Sequence, residues 1–119
     1  MSTRGIIRVK LNGRQVDIYR HCDCYPTGLG AELVKYLDEI PNWCGNKVVK
    51  YITENLDGEI TFYNHIDIEY MYIINCDKHT LKCYKVDNWD KPMKKRLINL
   101  KKELQSCRFK GLDKTKGLT

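Results

Sequence analysis

Hydrophobic and polar residues alternate near the start of the chain, with an apolar residue at every second position in 7–11 and again in 16–18. An Asn-Gly dipeptide at 12–13 separates the two runs and supplies the positive φ angles of a two-residue type I′ turn. This turn fixes the register of an antiparallel hairpin and sets Arg8 opposite Asp17, a favourable cross-strand pair. Pattern and turn together predict a β-hairpin.

The apolar pattern then changes to a helical period. Between residues 28 and 40 the apolar positions recur three and four apart, which predicts a helix with Thr27 as its N-cap. Pro41 interrupts the pattern. A second amphipathic helix is predicted over about 46–56, and the Asp-Gly pair at 57–58 is expected to end it.

Strand patterns return in the second half of the chain. Residues 59–65, EITFYNH, read as a strand, and residues 66–87 read as a second hairpin that turns near 77–79, because both are rich in aromatic and β-branched residues. A last helix is predicted from Asp90, as its N-cap, to about Gln105.

The predicted order is therefore β-β-α-α-β-β-β-α, which defines an α+β protein. Because strands that are adjacent in sequence form hairpins, we expect a mainly antiparallel sheet of about five strands with the helices packed on one face. Residues 1–107 are predicted to form a single domain. Residues 108–119 lack an apolar period and are expected to form a basic, flexible tail.

The net charge of +6 over 119 residues is concentrated at the end of the chain. Residues 91–119 contain ten Lys and Arg against two acidic residues, a local charge of +8. Two interpretations remain open: a solvated basic helix face, or a contact for nucleic acid or for an acidic protein. The sequence contains neither an apolar run of membrane-spanning length nor a signal-peptide pattern, so we expect a soluble, cytoplasmic protein.

Six cysteines and three histidines raise the question of a metal site. Their spacing does not match the paired ligands of common zinc sites, because Cys22-x-Cys24 is too tight and the gap between Cys76 and Cys83 is too long. We expect free thiols, no bound metal and no cofactor.

The segment YRHCDCYPTGLGAELVKYL, residues 19–37, holds the densest group of candidate functional residues. A predicted helix start offers unpaired backbone N–H groups and a positive dipole end, and glycines give a ligand access to that backbone. Arg20 and His21 add positive charge, and Tyr25 offers a ring for stacking. The competing interpretation is that Gly28 and Gly30 serve only a tight turn.

Two catalytic interpretations of the same segment are also open. Cys22 or Cys24 could act as a nucleophile if the neighbouring cations lowered its pKa. Alternatively, two His-x-Asp pairs, His21/Asp23 and His65/Asp67, could carry out general acid–base chemistry on a phosphodiester.

The N-terminal third of the chain resembles a group of small phage and prophage proteins, most of which have no assigned function. The shared pattern is an N-terminal Thr-Arg-Gly, a hairpin, and then a turn with Tyr, Asp, Tyr-Pro and Gly-x-Gly. The matching residues are Thr3, Arg4, Gly5, Tyr19, Asp23, Tyr25, Pro26, Gly28 and Gly30. Cys24 stands where the group usually has glycine. The resemblance implies a phage origin, and for that class an accessory protein that counters host defence from the host cytosol.

Two functions are carried forward from the sequence. The first is a non-enzymatic protein that binds an anionic target, either a signalling nucleotide or a nucleic-acid-handling defence complex. The second is a nucleotide or phosphodiester hydrolase that uses His21/Asp23 or His65/Asp67. The hairpin register places Arg4 next to Arg20, so both are included in the predicted site. The predicted ligand-binding residues are Arg4, Arg20, His21, Asp23, Tyr25, Thr27, Gly28 and Gly30.

Overall fold

The computed structural model describes residues 3–62, 67–88 and 94–106. A six-stranded sheet, three α-helices and one short π-helical turn make up these residues, which confirms the α+β class. The elements in chain order are β1 (Gly5–Leu11), β2 (Arg14–Arg20), the π-turn (Pro26–Gly30), α1 (Ala31–Glu39), α2 (Gly45–Asn55), β3 (Glu59–Thr61), β4 (Tyr70–Asn75), β5 (Thr80–Asn88), β6 (Lys94–Ile98) and α3 (Leu100–Ser106).

The first hairpin has the predicted register, in which β1 and β2 pair antiparallel. Asn12 and Gly13 both adopt positive φ angles, 52° and 77°, as a type I′ turn requires. Arg8 donates two hydrogen bonds to the Asp17 carboxylate, at 2.9 and 3.1 Å. The end of the hairpin at Asn12-Gly13 is called the turn end, and the end at Gly5 and Arg20 is called the open end.

The sheet is mixed and has six strands, in the order β3-β2-β1-β4-β5-β6, so the prediction of about five strands was wrong. Four of the five pairings are antiparallel, but β4 pairs with β1 in parallel. A parallel pair needs a long crossover connection, and the segment between β2 and β4, with its two α-helices, supplies one.

The prediction of a helix from Asp90 to Gln105 was also wrong. Residues Lys94–Ile98 form β6, which pairs antiparallel with β5, and the helix α3 begins only at Leu100. Asn99 caps this helix by accepting a hydrogen bond from the backbone N–H of Lys102 at 3.0 Å. The expected cap Asp90 lies outside the described residues. The free edge of β5 offers a ladder of backbone hydrogen bonds that a local helix pattern does not anticipate.

The main core lies between one face of the sheet and the helices. It unites Ile7, Ile18 and Tyr72 of the sheet with Leu33 of α1 and Ile52 of α2, while α3 adds two further buried leucines. All three helices contribute to this one cluster, as predicted. A smaller cluster on the opposite face contains Ile6, Ile68, Met71 and Val86. No helix in the described part of the chain has both the length and the apolar character needed to cross a membrane.

Candidate functional site

The segment that follows β2 forms a closed turn that is tied to the N-terminus. Asp23 adopts a positive φ of 56°, which reverses the chain. The N–H of Cys24 then donates to the carbonyl of Thr3 at 3.1 Å, and the N–H of Leu29 donates to the carbonyl of Asp23 at 2.8 Å. These bonds fix the start of the π-turn against the open end of the hairpin.

The two glycines of this turn are needed for close packing. A Cβ atom on Gly28 would lie 2.5 Å from the carbonyl oxygen of Asp23, and one on Gly30 would lie 2.9 Å from Leu100 Cδ1. The N–H of Gly28 donates to the carbonyl of Tyr25 at 2.9 Å. These contacts support the tight-turn interpretation of the glycines, because the backbone groups expected to meet a ligand already bond within the turn.

Thr27 lies inside the π-turn, so it does not act as the predicted N-cap of the helix. Pro26 is the first residue of the turn and Tyr25 is the residue that precedes it. Proline at the first position is favourable there, because its fixed φ suits a helical turn and it has no N–H to satisfy. Tyr25 remains 39% exposed and can present its ring to a ligand.

Arg20 points into the protein and is only 6% exposed. Its Nε donates to the carbonyl of Cys22 at 2.9 Å, and its Nη2 donates to the carboxylate of Glu32 at 3.0 Å. Burial opposes the charge on the guanidinium, but the bond to Glu32 outweighs it, so the pKa of Arg20 is raised. The third nitrogen, Nη1, is buried and has no hydrogen-bond partner among the described residues.

Arg4 lies at the same end of the hairpin but makes a separate ion pair. Gly5 pairs with Arg20 as the register predicts. Because side chains alternate along a strand, Arg4 and Arg20 belong to opposite faces of the sheet. The guanidinium of Arg4 pairs with Asp67, and its buried Nε has no partner in the part of the chain that the structure describes.

The two cysteines of the segment have different environments. Cys24 is fully buried, and this burial raises the pKa of its thiol to about 12, well outside the range of a nucleophile at neutral pH. Its carbonyl accepts a hydrogen bond from the buried Tyr72 hydroxyl at 2.6 Å. Cys22 is exposed on the surface. Cys24 therefore serves as a small apolar residue under the turn.

The His-x-Asp pairs are not assembled as catalytic pairs by the described contacts. His21 is exposed, and its Nδ1 lies 3.2 Å from the hydroxyl of Tyr19. Asp23 is exposed in the turn, Asp67 pairs with Arg4, and His65 lies outside the described residues. Across the described ranges, no three His, Cys, Asp or Glu side chains are grouped as metal ligands are.

The carboxylates that pair with the two arginines were missed by sequence reasoning. Glu32 is twelve residues from Arg20, and Asp67 is 63 residues from Arg4. Neither separation corresponds to a local pairing rule of a helix or a hairpin. The position of Glu32 in the first turn of α1 was the one available signal, since an acid there is favourable to the helix dipole.

No protein-family model, curated protein or solved structure matches this chain.

Proposed function

We propose that this protein works by binding an anionic target at the open end of its first hairpin, without catalysing a reaction on it. The observation that carries the proposal is the buried Arg20, whose Nη1 has no acceptor among the described residues. A buried donor without a partner costs about 1–3 kcal/mol, and a phosphate or carboxylate oxygen would remove that cost. The guanidinium geometry also suits such oxygens.

The surroundings of Arg20 add features that suit a phosphate-bearing ligand. Arg4 brings a second guanidinium to the same end of the hairpin, with its own unpartnered Nε in the described structure. His21 and Tyr25 are exposed beside the turn and can supply a hydrogen bond and a stacking surface. Because Nη1 is covered, binding requires the turn at Cys22 to move.

Binding is favoured over hydrolysis by the state of the candidate catalytic groups. Asp67 is neutralised by Arg4, and His21 shares a hydrogen bond with Tyr19. A general base must reach the proton that it removes, and these contacts orient both groups toward protein partners. The hydrolase is therefore the outcome that the experiment below must distinguish.

The resemblance of the N-terminal third to small phage proteins supports a biological class for this binding. In that class we propose an accessory protein that counters host defence in the host cytosol. The anionic target is then a signalling nucleotide or a nucleic-acid-handling defence complex. Lys101 and Lys102, exposed on α3, provide a second basic surface for a nucleic-acid contact.

The test is a thermal-shift screen with inorganic phosphate and with mono-, di- and cyclic nucleotides. A ligand that binds only the folded state raises the melting temperature in a concentration-dependent way. Arg20→Lys keeps the charge but removes the forked donors, so we expect affinity to fall about tenfold, as for the loss of one charge-assisted hydrogen bond. Arg8→Lys, in the same hairpin but paired with Asp17, is the matched control and should bind normally.

Recovery of the ligand separates the two functions. After heating the complex, a binding protein returns the nucleotide intact, whereas a hydrolase returns the product. Turnover of any nucleotide that is lost in His21→Ala would reject the binding proposal in favour of the hydrolase. Equal ligand shifts for Arg20→Lys and for the wild type would show that the open end is not the site.

A further inference from the structure

A cleft of about 490 Å³ lies at the turn end of the first hairpin, against the beginning of α2. Val9, Val16 and Val49 give it an apolar floor, and Arg14 and Asn46 lie among its polar lining residues. Its volume is within the range of about 300–1,000 Å³ that is usual for ligand sites. The cleft is at the opposite end of the hairpin from Arg20, so it is independent of the site proposed above.

One wall of the cleft is an unpaired strand edge. The strand β3 pairs with Asp17–Tyr19 of β2 and stops there, so residues 14–16 have no strand partner on that side in the described structure. Leu11 and Arg14 flank the turn and face each other across the ladder. The N–H and C=O of Gln15 therefore point away from β1, where an extended peptide can pair with them.

The positive groups of the cleft are gathered at its turn end. Arg14 is exposed at the first position of β2. The N-terminus of α2 approaches the same end, since a Cβ atom on Gly45 would lie 3.1 Å from the side chain of Leu11. A helix N-terminus carries a partial positive charge. The described lining residues include no acidic side chain to oppose these groups.

The direction of the strand decides which end of a peptide meets this charge. A peptide that pairs antiparallel with β2, as β3 does, runs toward the turn end. Its last residue then lies beside Arg14 and the start of α2. A free C-terminal carboxylate is the group of a peptide that suits such a position, because Arg can bind it with two parallel hydrogen bonds.

We propose that this cleft binds the C-terminus of an extended peptide that ends in an apolar residue. The apolar side chain enters the floor formed by Val9, Val16 and Val49. The peptide backbone pairs with Gln15, and the terminal carboxylate binds Arg14. The cleft has room for the last one or two residues, so the partner is a protein with an accessible C-terminal tail.

The experiment uses the full chain and a fluorescein-labelled peptide, Gly-Gly-Ser-Thr-Thr-Val, with either a free C-terminus or a C-terminal amide. Fluorescence anisotropy should detect binding of the free acid, and the amide should bind about tenfold more weakly or worse because it lacks the charge that Arg14 recognises. Arg14→Ala should cause a similar loss. Arg96→Ala, an exposed arginine on the distant β6, is the matched control and should not change the affinity.

A second variant tests the apolar floor. Val49→Trp fills the cleft from a half-buried position on α2 and should abolish binding of the free acid, with circular dichroism confirming the fold. The proposal fails if both peptides bind equally, if neither binds at millimolar protein concentration, or if Arg14→Ala binds as well as Arg96→Ala. It also fails if sodium octanoate binds and the peptide does not, since the cleft would then be a site for small amphipathic anions.

Discussion

Arg20 shows how a single position can carry both structural and functional weight. Its Nε and Nη2 hold the carbonyl of Cys22 and the carboxylate of Glu32, which ties the end of β2 to the first turn of α1. A buried charge is tolerated when it is paired in this way. The remaining donor is available for a ligand without breaking either bond, which is why one residue can both hold the turn and bind an anion.

The thiols are expected to differ in reactivity. Backbone N–H groups of Lys47 and Asn46 lower the pKa of Cys44, whereas burial raises the pKa of Cys24 to about 12. We expect iodoacetamide at pH 8 to alkylate Cys44 at least about tenfold faster than Cys24, because the thiolate is the reactive form. Peptide mapping by mass spectrometry measures both rates, and unfolded protein provides the control in which they converge.

The buried thiol also has a consequence for stability. Because the pKa of Cys24 is higher in the folded state, its contribution to stability is present below the unfolded pKa and is lost as the pH rises toward 12. Rapid alkylation of Cys24 in the folded protein at pH 8 would contradict this environment.

Gly28 is expected to be intolerant of even a methyl group. Gly28→Ala places a Cβ atom 2.5 Å from the carbonyl oxygen of Asp23, so the turn must shift. We expect a loss of about 1–3 kcal/mol in the free energy of unfolding, the usual cost of overpacking. Urea denaturation measures it, with the neighbouring Thr27→Ala as control. A variant as stable as the wild type would mean that the turn has room, and the glycine would regain its interpretation as an access point for ligand.

At the scale of elements, the first hairpin and the helix α2 follow from their own sequences. The Asn-Gly turn sets every pairing between β1 and β2, and α2 spans Gly45–Asn55 against a predicted 46–56. The strand β6 does not follow from its sequence, because its identity depends on pairing with β5. Local elements are thus predictable where turn chemistry and apolar period agree, and they are not where an edge strand offers a competing partner.

The hairpin turn provides the test at this scale. Gly13 adopts a φ of 77°, which a β-branched residue reaches only with strain. Gly13→Val should lower the free energy of unfolding by about 1–3 kcal/mol. Asn12→Gly, which tolerates the positive φ at the neighbouring position, is the control and should change stability far less. Thermal denaturation of the two variants compares them, and equal melting temperatures would contradict the type I′ turn.

At the scale of the whole molecule, charge is distributed unevenly over a mixed sheet. Exposed Lys95 and Arg96 of β6 and Lys101 and Lys102 of α3 lie at one end of the strand order. The cleft and the open end belong to the first hairpin, in the other half of the sheet. A basic surface is therefore separated from both proposed binding sites, and its contribution can be tested on its own.

Deleting residues 108–119 tests that basic surface. The deletion removes four basic residues and one acidic residue, and the segment lies outside the described residues. We expect the melting temperature to stay the same and the affinity for a single-stranded oligonucleotide to fall, with a weaker dependence on salt concentration. Filter binding at two salt concentrations measures both, and a full-length chain with Lys50→Ala on the distant α2 is the control. Unchanged affinity would favour the interpretation of these residues as a solvated tail.

The sequence by itself determined what depends on short-range chemistry. The hairpin register, the helix α2 and the α+β class follow from turn residues and apolar periods, whose causes lie within a few positions of each residue. The same reasoning correctly placed Arg20 opposite Gly5.

Only the tertiary structure decided which residues meet across long separations. The parallel pairing of β1 with β4, the strand β6, the Arg20–Glu32 pair and the Arg4–Asp67 pair each join segments that no local rule connects. Alternation along the strands assigns the two arginines to opposite faces of the sheet, yet the carboxylate that each one finds depends on where α1 and the segment before β4 pack. The free energy of these contacts comes from burial and pairing in the assembled fold, so the sequence supplies the groups but the packing chooses their partners.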